Sequence, residues 1–276
     1  MDENSLSALV KDYLESAENH LEAGHALLPE LAGMRFFGEP LYAFARAGDP
    51  LFQELKKEEV IGSHFLLPEE WLSGAETVVS IFLPFTERVR EANRKDMSWP
   101  AKEWLHARIE GQAFILNLCA YLQDAFINEG YRCVVPASDS RFSRKSPVYT
   151  DKAVQGYYTS NWSERHAAYI CGLGSFGLSR GLITSKGIAG RFASLITDCH
   201  FKATGRAYSG LYDYCSKCGA CARNCPAQAI SMETGKSHPV CSAFVEMTRE
   251  KHSPRFGCGK CQVRVPCEQG IPVRSR

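Results

Sequence analysis

Apolar residues recur with helical spacing in three stretches of the chain. Residues 6–28 carry them every three or four positions, which predicts an opening helix. Residues 102–128 repeat that spacing over a longer distance and are followed by Gly130, a residue typical of helix ends. A shorter helix is predicted over residues 163–170.

Other stretches have the pattern of strands. Residues 76–85, "ETVVSIFLPF", are β-branched and almost continuously apolar, which predicts a buried strand. "YRCVVP" at 131–136 predicts a shorter strand, and residues 180–197 predict strand, turn and strand because glycines interrupt their alternation. Helices and strands mix without a regular βαβ repeat, so we expect an α/β (α+β) fold.

Cysteine density divides the chain. Eight of the twelve cysteines lie after residue 206, and the other four are scattered through the 206 residues before it. This change predicts two domains, 1–206 and 207–276. The second has little apolar sequence, so we expect it to fold around metal.

Charge and composition narrow the possible partners. The formal net charge is +1, which gives no general attraction to nucleic acid, although a local basic patch is not excluded. The acidic, amphipathic N-terminus lacks the features of an export signal, and the apolar runs are too short to cross a bilayer. We therefore expect a cytoplasmic protein without membrane contact, whose clustered, reduced cysteines bind metal.

The stretch "CSKCGACARNCP" predicts iron–sulfur clusters. Its spacing, C-x2-C-x2-C-x3-C-P, is that of two-cluster ferredoxins, in which the fourth cysteine binds the neighbouring cube. Eight cysteines suffice for two [4Fe–4S] clusters. Cluster one takes Cys215, Cys218, Cys221 and Cys267, and cluster two takes Cys225, Cys241, Cys258 and Cys261. The alternative is two structural zinc sites, but zinc favours paired C-x2-C knuckles, which fit this run poorly.

Two further matches are weak. "CGLGSFG" spells G-x-G-x-x-G, but a dinucleotide site needs a strand before it and a helix after it. Here a predicted helix precedes the glycines and predicted strands follow. "DCHFKATG" approximates a cobalt-ligating D-x-H-x2-G motif, yet Ala203 occupies the glycine position, so we treat His200 as an ordinary histidine.

In combination, these stretches resemble a known family. "ERHAAYICGLGSFG" at 164–177, "GLITSKGIAGRFASLITD" and the cysteine series, in this order, resemble the cobalamin-dependent iron–sulfur reductases. These are the epoxyqueuosine reductases and reductive dehalogenases, and the resemblance runs from about residue 67 to the C-terminus. It implies a nitroreductase-like cobalamin-binding sandwich followed by a small two-cluster ferredoxin-like domain.

The resemblance also implies a site. A base-off cobalamin would lie against the glycine stretch and the strand at 191–197, with the clusters delivering electrons to it. The implied cofactor-binding residues are Gly172, Leu173, Gly174, Ser175, Phe176, Gly177, Arg191 and Ser194.

The proton donor departs from the epoxyqueuosine reductase pattern. Those enzymes have an aspartate six residues before the glutamate of the "ER" pair, whereas this chain has Tyr158. Reductive dehalogenases are similar in using a tyrosine, so Tyr158 is the candidate catalytic residue. A phenol can protonate a carbanion-like product if a cation stabilises the phenolate. That cation could come from Arg141, Arg144, Lys145 or Arg165, but Tyr158 could equally be a packing residue.

Three functions follow. The first is a reductase of a small organic substrate, supplied by a low-potential donor such as a ferredoxin or flavodoxin-like protein. The second is an electron-transfer or activator protein that reduces the corrinoid of a partner. The third is a tRNA-modifying enzyme like epoxyqueuosine reductase, which the balanced charge argues against.

Overall fold

The computed structural model describes residues 1–145, 148–149, 154–155 and 158–273. Within these residues the helices α1 to α8 are Glu3–Leu14, Pro50–Glu54, Pro68–Trp71, Glu87–Lys95, Lys102–Asn128, Glu164–Cys171, Ala220–Arg223 and His238–His252. The strands β1 to β12 are Leu41–Arg46, Thr77–Pro84, Cys133–Val134, Arg144–Lys145, Val148–Tyr149, Val154–Gln155, Thr159–Ser160, Gly174–Phe176, Leu182–Thr184, Gly190–Thr197, Ile230–Ser231 and Gly235–Lys236.

A four-stranded antiparallel sheet forms the centre of the molecule. Its strand order is β1-β2-β10-β3, and β2 pairs along its full length with β10, from Thr77 opposite Thr197 to Pro84 opposite Gly190. The predicted strands at 76–85 and 131–136 are confirmed as β2 and β3. The strand, turn and strand predicted at 180–197 are also present, but β9 pairs with β8 rather than with β10.

Both faces of the sheet are covered. Along β2, Val79, Ile81 and Leu83 join an apolar core with α1, α4 and α5, whereas Val78 and Phe82 join a second core with α2, α3 and α6. Successive side chains of a strand point to opposite faces, so a strand buried on both sides is continuously apolar. The result is a sandwich of helices around one sheet.

The helix predictions are confirmed in part. The long helix predicted over 102–128 is α5 with the same bounds, and Gly130 follows it with a left-handed φ of 86°. The opening helix is wrong beyond Leu14, where α1 ends. The buried Asn19 side chain donates to the carbonyl oxygens of Leu14 and Phe37, at 2.9 and 3.0 Å, and turns the chain toward the core.

The C-terminal region has few regular elements and few buried apolar side chains. Its longest helix, α8, buries only Thr248, and β11 and β12 form a two-residue ribbon. The buried apolar residues after 207 are Tyr208, Ala220, Ala229, Ile230, Val263 and Val265. The 1–206 and 207–276 division of the chain remains a prediction.

A buried lysine joins this region to the sandwich. The Lys260 ammonium, which has no solvent exposure, donates to the backbone oxygen and to the Oδ1 of Asn93 on α4, both at 2.7 Å. The Nδ2 of Asn93 in turn donates to the Cys258 carbonyl at 3.0 Å. One polar contact therefore fixes the loop that carries two of the predicted cluster ligands.

None of the helices in the described ranges combines the length and the apolar composition needed to cross a membrane.

Candidate redox site

Four cysteines surround one small void. Cys215, Cys218, Cys221 and Cys267 border it together with Gly177 and Ile183 of the sandwich. Burial raises the pKa of the Cys267 thiol to about 12, with Cys221, Cys215 and Cys218 adding to the shift. The structure thus brings together the four residues predicted for cluster one.

The other four cysteines form a second neighbourhood. Burial raises the pKa of Cys258 to about 12, and the nearby Cys261 and Cys241 raise it further. The pKa of Cys261 is also raised by burial and by Cys241 and Cys225, against the opposing effect of Lys236. These are the residues predicted for cluster two.

The two neighbourhoods adjoin each other. Cys221 belongs to the first group, and burial raises the pKa of its thiol. Among its neighbours, Cys261 of the second group raises that pKa the most. In the described part of the chain, no three His, Cys, Asp or Glu side chains are gathered closely enough for a single metal ion. Eight thiol donors in two groups of four match the ligand requirement of two [4Fe–4S] clusters, each iron of a cube taking one thiolate.

The glycine stretch is packed inside the protein. Leu173, Gly174, Ser175 and Gly177 are buried, and only Gly172 and Phe176 keep part of their surface. A helix precedes this stretch and strands follow it, as expected from the sequence, so it lacks the strand-to-helix turn of a dinucleotide site.

Each of its polar or small residues has a partner within the protein. A Cβ on Gly174 would lie 1.9 Å from the Ile183 carbonyl oxygen, and Gly172 ends α6 with a left-handed φ of 101°. The Ser175 hydroxyl accepts from the Tyr214 amide at 2.8 Å. The glycines therefore permit close packing between strands, and they do not form the open cradle that a flat cofactor would need.

Arg191 and Ser194 lie on β10. The Trp162 indole donates to the Ser194 hydroxyl at 2.8 Å, and the Arg191 guanidinium donates to the side-chain oxygen of Gln112 on α5. Burial lowers the pKa of Arg191 to about 10, helped by Arg108 and Arg165.

The Glu164 carboxyl beside them is a feature that the sequence analysis missed. Both of its oxygens are buried without a hydrogen-bond partner, as is the hydroxyl of Ser80, which lies opposite Ser194 in the sheet. Burial raises the pKa of Glu164 to about 8, although Ser194 and Arg191 oppose the shift. Ser194 comes close to Glu164 but falls short of hydrogen-bonding geometry. The carboxyl is therefore protonated at neutral pH. The "ER" pair at 164–165 was the feature of the sequence that could have pointed to this residue.

Two further arginines, Arg108 and Arg249, cluster near Arg191 around the Phe256 ring. Arg108 lies one turn before Gln112 on α5, and its guanidinium packs 3.9 Å from the Phe256 ring centre and donates to the Phe256 carbonyl. Arg249 packs against the same ring at 3.6 Å and is paired with the Glu246 carboxylate at 2.9 Å. Among the described residues, no acidic side chain pairs with Arg108 or Arg191 within 4.0 Å. No pattern in the sequence distinguished Arg108 from the other helix residues.

Tyr158 borders this cluster. Burial and the neighbouring Arg249 lower the pKa of Arg108 to about 10, and Tyr158 partly offsets the shift. The tyrosine is 49% exposed, and the adjoining Tyr157 lies outside the described residues. The role of Tyr158 in catalysis therefore remains a prediction.

The four cations suggested by the sequence have different surroundings. Arg141 is bound by the Asp139 carboxylate at 2.7 Å and by the carbonyls of Glu70 and Trp71. Arg165 donates to the Arg180 carbonyl at 2.6 Å. Arg144 and Lys145 are exposed on β4, and the Arg144 guanidinium packs 5.5 Å from the Phe142 ring centre.

His200 is a surface residue, as expected. Its Nδ1 lies 3.1 Å from the Glu76 carboxylate, and its side chain is largely exposed.

A wider cleft of about 590 Å³ lies elsewhere, at the end of β2 beside Phe85. Its charged side chains are paired, as in the 2.6 Å contact between Lys186 and Glu39.

Comparisons with known proteins identify the fold. Residues 211–231 match the 4Fe–4S binding domain family (Fer4). No curated protein matches the chain. Among solved structures, the chain is similar to the catabolic reductive dehalogenase NpRdhA, with 14% identity and a TM-score of 0.54 over 97% of this chain and 37% of that one.

Two further structures agree. One is a reductive dehalogenase whose structure suggests a mechanism for B12-dependent dehalogenation, with 15% identity and a TM-score of 0.51, covering 97% of this chain and 37% of that one. The other is an epoxyqueuosine reductase solved with a tRNA-Tyr stem loop, with 17% identity and a TM-score of 0.50, covering 98% of this chain and 67% of that one. This chain has the fold of these reductases. The resemblance and the fold class expected from the sequence are confirmed at that level, although the chain spans little more than a third of the dehalogenases.

Proposed function

We propose that the chain is an iron–sulfur oxidoreductase that passes electrons through two [4Fe–4S] clusters to an acceptor bound against the sandwich. The observation that carries this proposal is the separation of eight cysteines into two adjoining groups of four. The clusters supply one-electron steps, and the protein holds them next to each other and next to the acceptor.

The acceptor side is proposed at the arginine cluster of Arg108, Arg191 and Arg249. Arg108 and Arg191 have no described carboxylate partner, so a negatively charged group of the acceptor would be stabilised there. Tyr158 lies near Arg108, and Glu164 lies near Arg191. The phenol hydroxyl of Tyr158 and the protonated carboxyl of Glu164 are the two groups that could deliver a proton to a reduced acceptor.

A base-off cobalamin is the acceptor that the shared fold favours. One of the similar structures concerns B12-dependent dehalogenation, and this supports the proposal for the present chain. The glycine stretch gives no further support, because its buried residues contact other parts of the protein.

Metal content tests this proposal. Anaerobically purified protein is expected to contain about eight irons and eight sulfides per chain and, if the acceptor is cobalamin, about one cobalt. Electron paramagnetic resonance should show two interacting reduced clusters, because the two groups of cysteines adjoin. A colourless or zinc-containing protein would contradict the proposal.

Two variants then identify the proton donor. Tyr158→Phe and Glu164→Gln each remove one acidic proton with little change in shape. The variant that abolishes turnover while keeping the iron content and the cluster spectrum identifies the group, and full activity in both would exclude the two residues as proton donors.

The second candidate function is an electron carrier for a partner's corrinoid. The packing of the glycine stretch favours it, because that stretch offers no open cradle for a cofactor. Iron without cobalt, together with reduction of a separate corrinoid protein, would support this function over the first.

A further inference from the structure

The iron–sulfur region carries a positive charge that the rest of the chain does not. Residues 207–276 contain ten lysines and arginines against five acidic residues, a formal net charge of +5 before any cluster is counted, whereas the whole chain has +1. The first 206 residues are therefore net negative. Each oxidised [4Fe–4S] cluster with its four thiolates carries about −2, so the loaded region stays slightly positive. A charged protein partner approaching in solution would be steered to one region and away from the other.

One cluster ligand is much closer to solvent than the others. Among the eight cysteines, Cys218 is exposed and the remaining seven are half-buried. Lys217 precedes it with a left-handed φ of 52° and is itself exposed. Because electron transfer weakens steeply with distance, the Cys218 side is the natural entry point for an electron.

Positive and apolar groups surround Cys218. The Arg223 guanidinium donates to the Cys218 carbonyl at 3.1 Å and is exposed. A Cβ on Gly219 would lie 3.1 Å from that guanidinium and 3.3 Å from the sulfur of Met232, which is 46% exposed. We call Lys217, Cys218, Arg223 and Met232 the Cys218 face. Glu233 is the exposed acidic residue next to it in sequence.

We propose that the Cys218 face docks an acidic, low-potential electron-carrier protein that reduces cluster one. This inference rests on the proposed function. One electron leaves the reduced centre of the carrier and converts the cluster from the 2+ to the 1+ state, and no proton or bond is transferred. Transient electron-transfer contacts are small and rely on charge complementarity, which suits a few cations around an exposed ligand.

The test compares two variants with the same change in charge. Lys217→Glu alters the Cys218 face, and Lys202→Glu alters an exposed lysine of the sandwich. The probe is an acidic plant-type [2Fe–2S] ferredoxin. Its affinity for the oxidised protein is measured at low and high salt, and the rate of cluster reduction is followed by stopped-flow absorbance.

We expect Lys217→Glu to weaken binding and slow reduction by roughly tenfold at low salt, and to remove most of the salt dependence. Lys202→Glu is expected to change either value by less than about twofold. Titanium(III) citrate, which needs no docking surface, should reduce both variants and the unaltered protein to the same final extent.

Each contrary outcome has a distinct meaning. Equal effects of the two variants, or ferredoxin binding that salt does not weaken, would overturn the docking proposal. The proposal would also be overturned if Lys217 were needed for binding a tRNA stem loop and were not needed for reduction by ferredoxin. Protein without reducible iron would instead contradict the proposed function.

Discussion

The sandwich and the iron–sulfur region are stabilised in different ways. The sandwich buries two apolar cores, one on each face of its sheet. The iron–sulfur region has a 15-residue helix with a single buried residue, and eight cysteines in place of a comparable core. The hydrophobic effect can stabilise the first region alone, whereas the second depends on bonds to metal. The following predictions test that difference.

Loss of the clusters should have the largest effect. Removing iron by anaerobic oxidation and chelation is expected to unfold residues 207–273, because structural metal sites contribute on the order of 10 kcal/mol. Hydrogen exchange should lose protection throughout α8 while β2 and α5 keep theirs. Equal protection in both regions after iron removal would contradict the comparison.

Overpacking of the sandwich should have the next largest effect. Gly174→Ala places a methyl group where the Ile183 carbonyl oxygen already lies, so we expect a loss of about 3 kcal/mol or more in the free energy of unfolding. Gly24→Ala is the matched control, since nothing lies within 4 Å of its new Cβ. Thermal unfolding of the iron-loaded protein measures both, and equal midpoints would refute the packing argument.

The buried carboxyl should make stability depend on pH. The folded pKa of Glu164 is about 8, above the ordinary value of 4.5, so the folded state binds the extra proton between those two values. Stability should fall as pH rises through this window, with a slope of up to about 1.4 kcal/mol per pH unit. Glu164→Gln should remove that slope, and an unchanged slope would show that the carboxyl is already ionised.

A hydrogen bond within the iron–sulfur region should matter least while the clusters are present. The Asn224 amide donates to the carbonyls of Val263 and Arg264, at 2.9 and 3.1 Å. We expect Asn224→Ala to lower the melting temperature only slightly, corresponding to about 1 kcal/mol, with full iron content. A loss of iron in this variant would show that the loop itself, and not its ligands, determines cluster binding.

The sequence analysis correctly predicted those helices and strands whose positions are determined by local residue patterns. The helix α5 has a clear helical periodicity and the strand β2 is a continuous β-branched, apolar run, and both appear where expected. The helix α1 ends early because the buried Asn19 bonds to residue 37, a contact that depends on distant sequence. The pairing of β9 with β8 is local, across the turn at 177–181, and was missed because residues 174–176 were not predicted as a strand.

The candidate redox site shows the same difference between features set by local sequence and features set by distant contacts. The grouping of the cysteines follows from their spacing, and the structure places the predicted sets together without testing the clusters themselves. The buried state of Glu164 and the neighbours of Arg108 arise from elements far apart in the chain. Such contacts leave no periodic signal in the sequence.

The contact between Lys260 and Asn93 bears on how freely such regions can be recombined. Transplanted onto another protein, residues 207–276 would carry the Lys260 ammonium into an interior without the two oxygens that now bind it. A buried charge without partners costs several kcal/mol. Chimeric electron-transfer proteins built from this region should therefore hold the Cys258 and Cys261 loop against the new partner best when α4 is transferred along with it.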